Sequence, residues 1–263
     1  MQSSNYAYVN GRFVPETEAT VSIFDRGFLY GHGVFETMRV YGGRIFRAPE
    51  HIERLLAGLR ALSIESVFSR EELRAVCRVL TERNDVRQGV ARVYRTCDST
   101  IVTARPSSLE PRELTAIVST VRIDSTLSPY KTANRLPYIL AQEQAVIEGA
   151  SEAVLLNAAG RVVEFATGNL FVVKDGHLFT PPLDDGPLPG VTRHAVLTVA
   201  RELQIPTSET GFDPEFLETA DEVFATNSLI EIAPVTNWGR TQQLTRRLQE
   251  AYRDLVREEL RLP

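Results

Sequence analysis

The sequence predicts an α+β protein that is built in two parts. Runs of alternating or continuous apolar residues, which are typical of β-strands, occur in both halves of the 263-residue chain. Runs whose apolar residues recur at helical spacing also occur in both halves. The irregular stretch 123–130, which contains Ser128-Pro129, lies between the halves and marks the expected domain boundary.

Strand signals open the first half. Asn10-Gly11 is a two-residue turn signal between apolar residues and predicts a hairpin over 6–20. Gly42-Gly43 joins two further strand-like runs, at 34–41 and 44–46. The other strands predicted in this half lie near 90–96 and 114–122.

Two helices and a loop complete the first half. Apolar residues at helical spacing predict a helix at 50–62. Ser69 suits an N-cap, and the two glutamates that follow it in the first turn predict a second helix at 69–83. The stretch 98–112 is polar and contains two prolines, so we expect a loop there.

The second half combines both types of element. Strand pairs are predicted around the turn signals Ala159-Gly160 and Asp175-Gly176, a single strand is predicted near 222–226, and a loop follows it. A loop rich in Pro, Gly and Asp spans 181–190. The helices are predicted near 137–149, at 191–203 and, as an amphipathic C-terminal helix, from about 243.

The composition argues against several classes of protein. The formal net charge is −5 and no basic block occurs, so a nucleic-acid partner is not expected. No basic region followed by an apolar run opens the sequence, and no apolar stretch is long enough to span a membrane. Cys77 and Cys97 form neither a disulfide framework nor a CxxC pair, so we expect reduced thiols in a cytoplasmic protein.

Three common site motifs find no support in the sequence. Gly31 and Gly33 lack the third glycine and the following helix of a dinucleotide-binding loop. The four histidines have no metal-ligand spacing, so no metal site is expected. No GxSxG sequence and no cysteine in a recognisable nucleophile context supports a hydrolase.

Lys131 is a candidate nucleophile. The chain has one other lysine, Lys174, whereas arginine is abundant. Lysine can lose its proton in a desolvated pocket and attack a carbonyl group, which arginine cannot do. The residue pattern alone does not distinguish this role from that of a surface lysine.

Three other positions have the chemistry of a phosphate or cofactor site. Gly190, Val191 and Thr192 open a predicted helix, whose free N–H groups either bind a phosphate or form an ordinary cap. Thr226-Asn227-Ser228 suits either phosphate binding or a plain turn. Glu164 ends an apolar strand and is either the partner of a buried cation or a surface acid.

Six segments in order resemble one known family. They are FDRGFLYGHGVFETMRVYGGRIF, EHIERL, YKTANRLPYILAQEQA, EFATGNLFVV followed by DGHLFTPP, LPGVTR, and ADEVFATNSLIEIAPV. Together they cover nearly the whole chain and are similar to the class IV (fold type IV) pyridoxal-phosphate enzymes. This family contains branched-chain aminotransferases, D-amino-acid aminotransferases, (R)-selective amine transaminases and aminodeoxychorismate lyase.

The resemblance implies a two-domain α+β enzyme of fold type IV, similar to D-amino-acid aminotransferase. A small α/β domain is expected at 1–120, a linker at 121–126, and a larger, barrel-like domain that binds the cofactor at 127–263. Members of the family are generally homodimers, so a homodimer is expected by analogy.

The resemblance also assigns roles to individual residues. It implies that Lys131 forms a Schiff base with pyridoxal 5'-phosphate and moves the substrate proton. Glu164 is expected to pair with the pyridine nitrogen and keep it protonated, so that the ring accepts electrons. The residues expected to bind the cofactor phosphate are Arg54, Val191, Thr192, Asn227 and Ser228. The residues expected to line the substrate pocket are Tyr30, Phe35, Thr37 and Arg39.

Three arginines are candidates for binding the substrate carboxylate. D-amino-acid aminotransferases typically carry an arginine and a histidine in the loop after the strand near 90–96, and this chain has no histidine there. Arg92, Arg95 and Arg105 remain as alternatives.

The family resemblance leaves three functions open. The main expectation is an aminotransferase that passes an amino group from an amino donor to a 2-oxo acid acceptor. Asn134-Arg135-Leu136 resembles aminodeoxychorismate lyase, which releases 4-aminobenzoate and pyruvate and needs no acceptor, although the glycine-rich segment of that enzyme is absent. A non-enzymatic relative is the third, and the presence of Lys131, Glu164 and Arg54 argues against it.

Overall fold

The structure is a computed structural model that describes residues 5–108 and 112–262. The chain forms two compact units, and each is described by itself. The first unit contains the chain up to residue 108 and the short segments Tyr130–Asn134 and 259–262; the second contains 112–129 and Arg135–Glu258. The predicted linker at 121–126 stays a prediction. No helix in the described part of the chain is long and apolar enough to cross a membrane.

The first unit is a six-stranded antiparallel sheet with helices on one face. Its strands are β1 (Tyr6–Val9), β2 (Arg12–Pro15), β3 (Gly33–Tyr41), β4 (Arg44–Ile45), β5 (Gly89–Thr96) and β6 (Thr100–Pro106), in the spatial order β2-β1-β6-β5-β3-β4. Its helices are α1 (Arg26–Tyr30), α2 (Ala48–Ala61) and α3 (Arg70–Arg83). The predicted turn at Asn10-Gly11 is confirmed, since both residues have positive φ (48° and 92°) and join β1 to β2.

Alternation along β3 divides its side chains between the two faces of the sheet. Val34, Met38 and Val40 are buried in one hydrophobic cluster with residues of α2 such as Ile52 and Leu55. Because successive side chains of a strand point to opposite faces, the residues between them point away from α2. The helices therefore pack on one face of β3, and the side chains between the buried ones lie on the opposite face.

The predicted loop at 98–112 is corrected by the structure. Thr100–Pro106 forms β6, which pairs with both β1 and β5, and residues 109–111 lie outside the described residues. Thr100, Val102 and Ala104 are buried, so the stretch has the alternating pattern of a strand. Its threonines count as polar, but they are β-branched and suit a strand.

The second unit contains a three-stranded and a five-stranded sheet. Its strands are β7 (Ala116–Arg122), β8 (Glu152–Leu156), β9 (Val162–Phe165), β10 (Asn169–Lys174), β11 (His177–Thr180), β12 (Thr207–Glu209), β13 (Glu222–Asn227) and β14 (Glu231–Gly239), in the orders β7-β8-β9 and β12-β11-β10-β13-β14. Its helices are α4 (Leu136–Ile147), α5 (Val191–Glu202), α6 (Glu215–Glu218) and α7 (Gln243–Leu260), whose last two residues belong to the first unit.

Strand β14 replaces the loop that we expected after the strand near 222–226. Pro234 lies in its middle and hides it from pattern analysis, because proline cannot donate to a strand ladder. The strand is at the edge of the five-stranded sheet, where proline is tolerated. The carbonyl group of Pro234 accepts a bond from the Leu114 N–H (2.8 Å), so this edge is also covered.

A buried ion pair joins β3 to α2 in the first unit. The Arg54 guanidinium donates to both carboxylate oxygens of Glu36, each at 2.7 Å, and His51 Nδ1 donates to one of them at 2.7 Å. The side chains of Glu36 and His51 are 1% and 2% exposed. Such a pair is bidentate and geometrically specific, so it fixes the position of α2 along β3.

Charges and burial set the protonation of this group. Burial alone would raise the pKa of Glu36, but the Arg54 guanidinium and the hydrogen bond from His51 lower it to about 2. Burial lowers the pKa of His51, and the positive charges of Arg54 and Lys131 lower it further, against the influence of Glu36. At neutral pH the group therefore consists of a carboxylate, a guanidinium and a neutral imidazole.

We predict that Glu36→Gln lowers the free energy of unfolding by about 3 kcal/mol at neutral pH, because a buried guanidinium loses its anion. The pKa of Glu36 falls on folding from its ordinary value of 4.5 to about 2. The stabilisation from its charge is thus fully present above the unfolded pKa and is lost as the pH falls through the folded pKa. Urea unfolding at neutral pH and at about pH 3 measures both effects.

The control is Glu258→Gln, which changes an exposed glutamate of α7 in the same way. We expect it to alter the free energy of unfolding by less than about 0.5 kcal/mol. An equal loss in the two variants would contradict a stabilising role for the Glu36 charge.

Candidate active site

The segment Tyr130–Asn134 runs beside the start of β3 in the first unit. The Phe35 N–H donates to the carbonyl oxygen of Lys131 at 2.9 Å, and the Ala133 N–H donates to the carbonyl oxygen of Gly33 at 2.8 Å. These backbone bonds hold Lys131 next to the end of a buried strand. Its position is therefore set by the sheet of the first unit.

The Lys131 side chain lies over an aromatic pair. Its Nζ is 4.7 Å from the centroid of the Phe35 ring, and that ring stacks on Tyr94 with centroids 5.2 Å apart. The strand register pairs Phe35 with Tyr94 directly, which brings the rings together. Lys131 is half-buried, so the interpretation as an ordinary surface lysine is not supported.

The face that carries Phe35 also carries Thr37 and Arg92. Thr37 is two residues beyond Phe35 on β3, and the register places Arg92 of β5 directly opposite it. Arg92 is exposed and forms no ion pair within the described part of the chain. This face thus combines a lysine, two aromatic rings and an arginine.

The other two candidate arginines have different environments. Arg95 pairs with Val34, so it points to the opposite face, where it is 7% exposed and donates to the carbonyl oxygen of Glu65 at 3.0 Å. Arg105 is exposed and forms an ion pair with Glu16 at 2.9 Å. The structure therefore does not bring these three arginines together.

The remaining predicted residues of the first unit are also located. Tyr30 is the last residue of α1 and is 72% exposed. Arg39 is buried on β3, with its guanidinium carbon 5.6 Å from the ring centroid of Tyr41. Arg54 is the partner of Glu36 described above.

Glu164 is the centre of a buried polar group in the second unit. It lies on β9 and is 4% exposed, so the interpretation as a surface acid was wrong. One of its oxygens accepts bonds from the Leu188 N–H (3.1 Å) and from the Asn169 amide (3.3 Å). Asn169 also donates to the Leu188 carbonyl at 2.8 Å and so orients the loop and the carboxylate together.

An arginine and a tyrosine from the start of α4 adjoin this group. The Arg135 guanidinium carbon is 3.5 Å from the centroid of the Tyr138 ring, and Arg135 donates to the Ala166 carbonyl at 2.9 Å. Burial raises the pKa of Tyr138, and the negative charge of Glu164 raises it further. Tyr138 therefore stays neutral beside Glu164.

The start of α5 fits closely against Asn169. A Cβ atom on Gly190 would lie 1.9 Å from the Asn169 side-chain oxygen, so a larger residue there would force Asn169 to shift. Val191 and Thr192 follow as the first residues of the helix and are buried. The first N–H groups of a helix have no partner within the helix, which makes this end suited to an anion.

Asn227 and Ser228 belong to a turn that is locked to the stretch after Glu164. The Asn227 amide donates to the Thr167 carbonyl at 3.0 Å, and its oxygen accepts the N–H groups of Leu229 (2.8 Å) and Ile230 (2.9 Å). The turn therefore has a fixed shape.

Thr167 itself is held by Glu152. The Thr167 hydroxyl donates to the Glu152 carboxyl, which is 3% exposed, and burial raises the pKa of Glu152. The turn at Asn227 is thus tied through Thr167 to Glu152.

Several polar residues of these two groups were not predicted from the sequence. Glu36 breaks the apolar alternation of β3, while His51 and Arg54 are three residues apart on the facing helix. A charge on the buried face of a strand, opposite two polar residues of one helix face, was a usable signal. Asn169 and Glu152 gave no comparable signal, because the bond from Asn169 to Leu188 and the bond from Thr167 to Glu152 join residues 19 and 15 positions apart.

The described residues contain no group of three or more His, Cys, Asp or Glu side chains that could hold a metal ion. The polar side chains described above offer an amine, guanidinium groups, a helix N-terminus and a buried carboxylate. The Lys131 amine and the Arg92 guanidinium belong to the first unit, and the Glu164 carboxylate and the α5 N-terminus belong to the second.

The chain is similar to known proteins over nearly its whole length. The chain is 31% identical to the D-alanine aminotransferase of Staphylococcus aureus, over 95% of this chain and 97% of that protein. It is 33% identical to the aminodeoxychorismate lyase of Bacillus subtilis, over 95% and 94%. The branched-chain amino acid aminotransferase of Escherichia coli has the same fold, with a TM-score of 0.90, 28% identity and coverage of 97% and 95%.

The fold class and the family predicted from the sequence are confirmed. The branched-chain aminotransferase of the thermophilic archaeon Thermoproteus uzoniensis, solved with norvaline, matches with a TM-score of 0.90, 30% identity and coverage of 97% and 95%. Another branched-chain amino acid aminotransferase of this fold was solved with pyridoxamine 5'-phosphate. The mixed α/β architecture with several sheets is consistent with a two-domain fold type IV. The sequence pattern of the amino-transferase class IV family matches residues 33–238. The chain belongs to the class IV aminotransferase family.

Proposed function

We propose that this protein transfers an amino group between an amino acid, or an amine, and a 2-oxo acid, with pyridoxal 5'-phosphate bound through Lys131. The observation that carries this proposal is the setting of Lys131. It is one of two lysines in the chain, and its Nζ lies over the Phe35 ring in a half-buried position. An amine held in this way suits attack on a carbonyl carbon.

The other residues fit the remaining parts of this cofactor. Glu164 is a buried carboxylate with two donors on one oxygen, which suits pairing with a protonated ring nitrogen. A phosphate group suits the positive Arg54 guanidinium and the α5 N-terminus. The further residues that we assign to the phosphate are Val191, Thr192, Asn227 and Ser228.

Each of the proposed site residues has a separate role in the reaction. When bound, the cofactor supplies an electron sink for the carbanion that forms at the substrate carbon. Lys131 takes the proton from that carbon and returns it during the reaction. Glu164 keeps the ring nitrogen protonated, and Asn169 with the Leu188 N–H holds Glu164 in one orientation. Tyr30, Phe35, Thr37 and Arg39 are proposed to line the substrate pocket.

Arg92 is our choice for the residue that binds a substrate carboxylate. It shares a strand face with Phe35 and Thr37, and therefore the side of the sheet where the Lys131 amine lies. Its guanidinium is exposed, so binding a carboxylate requires no buried ion pair to break. Arg95 points to the other face.

A lyase reaction is the second candidate. The chain resembles the Bacillus subtilis aminodeoxychorismate lyase as closely as it resembles an aminotransferase. It also has the Asn134-Arg135-Leu136 run, in which Arg135 is stacked on Tyr138 and bonded to Ala166. A lyase would release pyruvate and 4-aminobenzoate from aminodeoxychorismate and would need no 2-oxo acid.

We also propose a homodimer. The exposed large apolar residues of helix α4 are Leu136, Ile139, Leu140, Val146 and Ile147. Those in and before α1 are Val21, Ile23, Phe24, Phe28, Leu29 and Tyr30. Each unit thus exposes several large apolar residues within one short segment, and exposed apolar patches are typical of protein interfaces.

The first prediction from the proposed function concerns the reaction. The holoenzyme is mixed with L-amino acids, D-amino acids, (R)-amines or aminodeoxychorismate, without any acceptor, while its visible absorbance is followed. We expect one class of amino donor to convert the cofactor to its pyridoxamine form. An unchanged spectrum with every amino acid and amine, together with pyruvate release from aminodeoxychorismate, would establish the lyase instead.

A paired lysine experiment accompanies this screen. Borohydride reduction of the holoenzyme should attach the cofactor to the peptide that contains Lys131. Lys131→Ala should abolish this attachment, whereas Lys174→Ala, which changes the only other lysine, should leave it intact. Attachment that survives in Lys131→Ala would contradict the assignment.

The second prediction concerns the substrate carboxylate. Arg92→Gln should raise the KM of the carboxylate substrate by about 10- to 100-fold, because a charged hydrogen bond is worth about 1.5–3 kcal/mol. Arg105→Gln, in the neighbouring strand, should change KM by less than about threefold, since Arg105 is exposed and bonded to Glu16. Steady-state kinetics with both variants tests the choice, and equal effects would reject it.

The third prediction concerns the dimer. Light scattering should give about twice the chain mass of 29.4 kDa. Ile139→Asp should shift the protein towards the monomer, because it places a charge on the apolar face of α4. Val67→Asp introduces the same charge at another exposed apolar residue and should not. A monomeric wild-type protein would exclude the proposed dimer.

A further inference from the structure

Cys97 and His32 form a thiol–imidazole pair in the first unit. Cys97 directly follows β5, and His32 directly precedes β3. The distance between Cys97 Sγ and His32 Nδ1 is 3.2 Å, and both residues are half-buried. None of the roles proposed above uses either side chain.

A backbone carbonyl indicates which nitrogen of His32 carries a hydrogen. His32 Nε2 is 3.1 Å from the carbonyl oxygen of Leu62. A carbonyl oxygen only accepts, so Nε2 carries a hydrogen, and in that tautomer of the imidazole Nδ1 is an acceptor. The Cys97 thiol therefore donates to Nδ1. A nucleophile, a base and a group that orients the base are aligned in this order.

Close packing of the neighbouring segments fixes the positions of Cys97 and His32. A Cβ atom on Gly33 would lie 2.9 Å from the carbonyl oxygen of Arg95, and one on Gly27 would lie 2.1 Å from the Thr96 side chain. The Thr96 hydroxyl donates to Asp25 at 2.9 Å. The segment before β3 and the turn after β5 are thus held together on both sides of the pair.

The second cysteine of the chain has none of these features. Cys77 is 1% exposed within the core between the sheet and the helices, and burial raises the pKa of its thiol to about 12. A buried thiol without a neighbouring base is unreactive. Cys77 is therefore a natural internal reference for the reactivity of Cys97.

We propose that Cys97 is a nucleophilic thiol, with His32 as its base, and that it is a site of covalent modification by small uncharged electrophiles. In the reaction with an alkyl halide, the sulfur forms a bond to the carbon and the carbon–halogen bond breaks. The halide leaves with its electron pair, and the thiol proton passes to His32 Nδ1. The imidazolium formed keeps its bond to the Leu62 carbonyl.

Iodoacetamide is the probe for this site, and peptide mass spectrometry measures the modification of each cysteine over time. In the folded protein at neutral pH, we expect Cys97 to react and Cys77 to remain unmodified. We also expect Cys97 to react faster in the folded protein than in the chain unfolded in guanidinium, although folding reduces its exposure. Slower alkylation of Cys97 in the folded protein would overturn the proposal without any variant.

Two histidine variants isolate the role of the base. The oxygen of an asparagine can accept a hydrogen bond but takes up no proton, so His32→Asn should slow alkylation of folded Cys97 by at least about tenfold. His177→Asn changes a histidine of the second unit, bonded to Ser208, and should leave the rate unchanged. Equal rates in the His32→Asn and His177→Asn proteins would overturn the role of His32. The readout is independent of cofactor binding and of the proposed function.

Discussion

The register of β3 is the constraint on which the first unit depends. Its alternation sends Glu36 to the helices and Phe35 to the opposite side, where the Lys131 amine lies. A shift of one residue would exchange these environments, exposing the apolar residues and burying the wrong ones. The buried pair between Glu36 and Arg54 opposes such a shift, because either charge would be left without its partner. The pair therefore specifies the register that presents Lys131.

Buried polar groups in the second unit act in a similar way on Glu164. A carboxylate is costly to bury unless donors satisfy it, and here the donors are the Leu188 N–H and Asn169. The same Asn169 packs against Gly190, where a side chain would displace it, so the carboxylate and the start of α5 share one positioning residue. A change at Asn169 would thus disturb both groups that we assign to the cofactor. Catalysis by preorganised charge requires this kind of support.

Local signals in the sequence predicted local structure, whereas distant pairings did not follow from it. Asn10 and Gly11 both have positive φ, which asparagine and glycine adopt more readily than other residues. The residue types alone therefore predict this turn. The difference between Arg92 and Arg95 depends instead on which residues of β3 they face, and no local pattern contains that register. The hydrogen bonds of Glu164 likewise depend on Asn169 and on Leu188, which is 24 residues away in the sequence. The family resemblance pointed to Glu164, but it left Arg92, Arg95 and Arg105 as alternatives and did not indicate Asn169.

Arginine and lysine have different roles in this chain: the arginines stabilise the structure, and we assign the chemical role to a lysine. Of its 29 lysine and arginine residues, only two are lysines. Arginine keeps its charge under all ordinary conditions and binds carboxylates or rings through a planar group, as Arg54 and Arg135 do here. It therefore stabilises the protein without offering a competing amine. An aldehyde that enters the first unit meets Lys131 as the one primary amine beside the aromatic pair in the described structure, because Lys174 belongs to the second unit. The selectivity for Lys131 thus has two causes. The chain contains few lysines, and one strand places an aromatic pair beside this lysine.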